Sequence, residues 1–61
     1  MRESYRKKYL EQIKDMNIQD AIKHIEELIF NIDMIDRWNE IDEIAYAVLC
    51  DIKRNLQKGI K

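Results

Sequence analysis

The sequence predicts an all-α fold: a short N-terminal helix followed by an antiparallel helical hairpin, three helices in all. Three observations carry this prediction. Ile18, Ile22, Ile25, Ile29 and Ile32 recur at spacings of four, three, four and three, with Ala21, Leu28 and Ile35 in a parallel row, all on one side of a helix. Ile41, Ala45, Val48 and Ile52 repeat the spacing, and Ile44, Leu49 and Leu56 widen that stripe. No four-residue run alternates cleanly, and hairpin turn pairs such as Asn-Gly are absent, so nothing reads as a strand.

The first helix is expected over about residues 3–15. Tyr5, Tyr9, Ile13 and Met16 share one side with Leu10 flanking them, and Arg, Lys, Glu and Gln fill the other. Asn17 is the strongest start signal for the second helix, with Asp20 three residues on as an imperfect capping-box partner. The stripes before and after Asn17 differ in phase by about 140°, which favours a corner over one long bent helix. The second helix is expected to run over about 18–32. Beyond it, Ile32, Ile35, Trp38 and Ile41 are spaced by threes and drift around a helix, so a connection is placed within Asp33–Asn39. Asn39 then caps a third helix over about 40–58. Acids stand at its start, Lys53, Arg54 and Lys58 near its end, and Gly59 stops it, with Ile60 able to fold back onto it.

Sixty-one residues form one domain, 1–61, close to the smallest that can keep a core of its own. Hydrophobic residues at 46% and charged residues at 38% make the chain too apolar for disorder and too charged for a membrane span. The N-terminus carries charge at positions 2, 3, 6, 7 and 8 and does not resemble a signal peptide. A lone cysteine, Cys50, is expected in a reducing, cytoplasmic setting. The abundance of Ile, Lys, Asn and Asp suggests an AT-rich genome, such as that of a low-GC bacterium or a phage.

Charge is laid out unevenly. Residues 1–15 carry +2, residues 16–52 carry −7 and residues 53–61 carry +4. In an up-down-up arrangement this layout sets Arg2, Arg6, Lys7 and Lys8 near Asp33, Asp36, Glu40 and Glu43. It also sets Lys53 and Lys58 near Asp15 and Asp20.

Chemistry-bearing residues are sparse. His24, the one histidine, has Asp20 and Glu27 at helical spacing but no second His or Cys nearby, so no metal site is expected. Glu40 and Glu43 are i,i+3, but Glu26 and Glu27 are adjacent and cannot share a face, which departs from the paired carboxylates of a metal-dependent helical enzyme. Cys50 lacks a base. Arg2, Arg6, Lys7 and Lys8 interleaved with Tyr5 and Tyr9 are the best segment for nucleic acid, opposed by an acidic middle.

Phe30 and Met34 do not fit the second helix's stripe. They are i,i+4 neighbours on its far side, and Tyr46 and Cys50 hold the matching place on the third helix. Phe30, Met34, Trp38 and Tyr46 are therefore the expected partner or dimer contacts. Glu26, Glu27, Asp33, Asp36, Glu40 and Glu43 form the expected acidic face. The resulting expectation is a small non-enzymatic interaction protein without a cofactor, a homodimeric helical bundle. It would bind and regulate or inhibit a larger protein, and its gene would belong to a phage or mobile element directed at a host. A nucleic-acid-associated regulator using the basic termini ranks second, and a carboxylate-metal enzyme third.

Overall fold

The computed structural model describes residues 2–59, which form three helices: α1 over Arg2–Ile13, α2 over Ile18–Asp33 and α3 over Glu40–Gln57. The described residues contain no strand. No helix among them is long and apolar enough to cross a membrane.

Local chemistry places the boundaries. Asn17 sits in extended backbone and its side-chain oxygen accepts the Asp20 backbone N–H at 2.8 Å, which starts α2. Asn39 does the same for Asp42 at 2.8 Å, and the Asp42 carboxylate accepts the Asn39 N–H at 3.2 Å. This reciprocal box satisfies two donors that the first turn of α3 would otherwise leave bare. At the other end of α3, Gly59 takes φ +83° and its N–H reaches the Leu56 carbonyl at 2.9 Å. A side chain there would be strained, so glycine ends the helix where expected. The fold-back proposed for Ile60 lies outside the described residues. The corner between α1 and α2 is real: α1 stops at Ile13, two residues short of its expected end, and the Met16 N–H bonds the Ile13 carbonyl at 3.0 Å.

The core is built from Tyr9 and Ile13 of α1, Ala21 and Ile25 of α2, and Ala45, Val48, Leu49, Ile52 and Leu56 of α3. Both α1 and α2 pack against α3, which supplies five of the nine buried side chains. The isoleucine row of α2 is only partly in the core. Ile25 and Ala21 are fully buried, Ile22, Leu28, Ile29 and Ile32 are half-buried, and Ile18 and Ile35 at the two ends are exposed. A helical stripe points its side chains one way, but burial also needs a neighbour long enough to cover every turn.

That neighbour is short. At 1.5 Å per residue α1 reaches about 18 Å, against about 27 Å for α3. Its cross-helix bonds fall away from the α2–α3 connection: Arg6 forms an ion pair with Asp51, and Gln12 Oε1 accepts the His24 Nε2–H at 2.9 Å. The expected pairing of Arg6 with Asp33, Asp36, Glu40 or Glu43 is therefore replaced by Asp51, because Arg6 lies beside the second half of α3. Lys53 likewise pairs with Glu26, at 3.1 Å, in place of Asp15 or Asp20.

Candidate functional site

The connection between α2 and α3 stands open. Every residue from Asp33 to Ile41 is exposed. Five large apolar side chains lie within or beside that stretch: Phe30 and Met34 are 62% and 67% exposed, and Ile35, Trp38 and Ile41 are exposed to smaller degrees. Ile18, at the start of α2, is the other exposed large apolar residue described.

Two different causes produce this concentration. Phe30 and Met34 lie on the side of α2 opposite Ala21 and Ile25, so they point away from α3 by helical phase. Ile35 and Ile41 continue the inward stripes of α2 and α3, and they are wet because α1 does not extend far enough to cover them. The first pair was singled out by sequence. The second pair was not, because both residues obey the periodicity of a buried position. The signal that could have found them is helix length, 12 residues in α1 against 16 and 18 in its neighbours.

Trp38 holds the connection together. Its Nε1–H donates to the Ile32 carbonyl at 2.9 Å, capping the end of α2. Its ring sits against Tyr46 on α3, centroids 4.7 Å apart and planes inclined at 39°. Tyr46 is half-buried, the least exposed of the four expected contacts. Its phenol is held above the usual tyrosine value by the charge of Cys50 one turn on, by partial burial and by the charge of Asp33. The Trp38–Tyr46 contact fixes the backbone that displays the neighbouring apolar residues.

The acidic residues surround this end. Glu27, Asp33, Asp36, Glu40 and Glu43 are exposed. Glu26 is exposed as well but engaged by Lys53. Asp42 is occupied by the Asn39 cap, and Arg37 is the one basic residue between Phe30 and Glu43. Among the described residues no group of three or more His, Cys, Asp or Glu comes together as a metal could require. The sequence-singled His24 is half-buried and bonded to Gln12, and Cys50 is a half-buried free thiol.

The basic N-terminal segment has its aromatics turned inward. Tyr9 is buried and Tyr5 is packed against the core, so neither ring is free as a stacking platform. Burial pushes the Tyr9 phenol above its ordinary value, and the neighbouring Tyr5 adds to the shift. Lys8 lies 5.9 Å over the Tyr9 ring. The outer side of α1 carries a shallow depression lined by Glu3, Arg6, Lys7, Leu10, Glu11 and Lys14, of mixed charge. A second shallow depression, on the outer side of α2, includes Phe30 with Lys23, Glu26, Glu27 and Asn31.

Compared with protein families, with characterised proteins and with solved structures, the chain matches none.

Proposed function

We propose that this protein is a small non-enzymatic interaction module that binds a larger protein through its α2–α3 connection end, and regulates or inhibits it. The observation that carries this reading is that five of the six exposed large apolar residues described, Phe30, Met34, Ile35, Trp38 and Ile41, lie within or beside the α2–α3 connection. Burying a side chain of this kind is worth about 1.5–3 kcal/mol, so a small domain that leaves five of them wet forfeits stability that a partner would restore. Interface cores are enriched in aromatic residues and methionine, which describes Phe30, Met34 and Trp38.

The proposed frame is an antiparallel α2–α3 hairpin, supported by the short connection over residues 34–39 and by the Glu26–Lys53 ion pair. The lone Cys50 supports a reducing, cytoplasmic setting. The composition supports a phage or mobile-element gene acting on a host protein. A homodimer is the second reading. It is favoured by the small core, since a second copy is a common way for a short chain to cover apolar surface.

A photo-crosslinking residue at Phe30, compared with one at exposed Gln19 on the corner end, tests the proposal in cells of the native host. The expected result is a discrete adduct from position 30, absent from position 19 and lost when Met34→Glu is added. An adduct of twice the chain mass would establish the homodimer instead. No adduct, or equal adducts from both positions, would overturn the assignment of this end.

A further inference from the structure

We infer that the open end docks a basic, amphipathic helical segment of its partner: apolar residues at i, i+3, i+4 and i+7 flanked by Lys or Arg. This rests on the interaction reading above and adds the chemistry of the occupant.

Charge decides between occupants. Residues 23–43, which include the Lys23, Glu26 and Glu27 beside Phe30, hold seven carboxylates against the two cations of Lys23 and Arg37. The α1 cations do not balance this end, since Arg6 is engaged by Asp51 and α1 is too short to reach the connection. Lys53 is engaged lower down, by Glu26. The connection and its flanks therefore carry negative charge, of which Asp42, by the Asn39 cap, and Glu26, by Lys53, are absorbed within the chain. A two-fold dimer would bring the same region of each copy together, and so would crowd these carboxylates against one another. A basic partner turns the same charge into attraction, which speeds encounter and fixes orientation. The outline also suits a helix. Ile35 and Ile41 end the inward stripes of α2 and α3, so the uncovered turns of the two helices offer the place a longer α1 would have filled. A helix laid there continues the packing that α1 begins.

The test is a displayed library of helical peptides with four fixed apolar positions and randomised flanks, selected against the full chain. Selected flanks rich in Lys and Arg are expected. Binding of a selected peptide should fall at least tenfold for Ile35→Ser with Ile41→Ser, and should weaken steeply with added salt. Because either substitution could disturb folding, circular dichroism of the double variant accompanies the measurement, and Asp36→Asn with Glu40→Gln supplies a second variant that leaves the apolar residues intact. The second variant should weaken a Lys-flanked peptide and leave a neutral-flanked control unchanged.

Enrichment of neutral or acidic flanks would overturn the basic partner while leaving the interaction module standing. Failure to enrich any peptide, with the chain monomeric in sedimentation, would overturn both. A dimer in sedimentation that Ile35→Ser with Ile41→Ser dissociates would replace the basic helix with a second copy.

Discussion

The two ends of this molecule are built from the same kind of sequence and end in opposite states. At the corner end, where α1 turns into α2, Tyr9, Ile13, Ala21, Ile25, Ile52 and Leu56 join one buried core. At the connection end the apolar pattern continues through Ile35 and Ile41, yet residues 33–41 are exposed without a break. Hydrophobicity does not separate them, and neither does periodicity. The difference is the third helix: three helices meet at one end and two at the other. A stripe therefore records which way a helix faces, and the lengths of its neighbours decide how much of it is dry.

The sharpest way to break this comparison is to place one charge on each face of the same helix. Ile25 is fully buried and Phe30, five residues on, is 62% exposed. Ile25→Asp should destabilise by more than ~3 kcal/mol, because it strands an unpaired carboxylate in an apolar core that contains no polar partner. A loss of that size unfolds a marginal small domain. Phe30→Asp should stay within about 0.5 kcal/mol of the parent, as surface substitutions do. Thermal melts by circular dichroism read both. Equal losses at the two positions would mean that Phe30 is structurally packed and the open end does not exist.

What the sequence made legible was local. Asn17, Asn39 and Gly59 act within three residues of themselves, through caps and a positive φ, and the three helices begin and end close to where those residues put them. The stripe of α3 from Ala45 to Leu56 was legible as a direction, and it is buried because α1 and α2 both pack along it. The less legible features all depend on axial placement. Arg6 meets Asp51, Lys53 meets Glu26, and Ile35 and Ile41 emerge into solvent, each because of where α1 stops and starts along α3. No spacing within one helix encodes that offset. For the candidate site, Phe30 and Met34 were legible as residues off the stripe, and Trp38 as a residue of the connection. The contact of Tyr46 with Trp38 was not legible, because it depends on the path of the connection.

A smaller effect compares how the two ends are fastened. The cap at Asn39 is reciprocal, whereas the bond described at Asn17 runs one way, from the Asp20 N–H to the Asn17 side chain. Asn39→Ala should cost about 1 kcal/mol, or roughly 4–8 °C in melting temperature for a domain of this size. Asn17→Ala should cost less, since no returning carboxylate is lost with it. The open end would then depend more heavily on its cap than the corner end, where core contacts from three helices already hold the chain. A larger loss at Asn17 would show that the corner, not the connection, is the more locally determined of the two.

The smallest expected effect concerns what holds α1 at the corner end. Two devices are available: burial of Tyr9 and Ile13 against α3, and the Arg6–Asp51 ion pair at the rim of the same contact. The ion-pair side chains remain 39% and 42% exposed, so water and salt screen them. An exposed pair is worth ~0–1 kcal/mol, while removing a buried isoleucine side chain to alanine costs ~2–5 kcal/mol. A double-mutant cycle of Arg6→Met with Asp51→Asn should return a coupling below about 1 kcal/mol that shrinks further at high salt. The position of α1 along α3, and with it the uncovered connection end, would then follow from where Tyr9 and Ile13 find room in the core. A coupling well above that range, insensitive to salt, would instead make Arg6 the residue that fixes the register. Moving the cation to a neighbouring turn of α1 would then be expected to slide the helix and change which residues of α2 and α3 stay exposed.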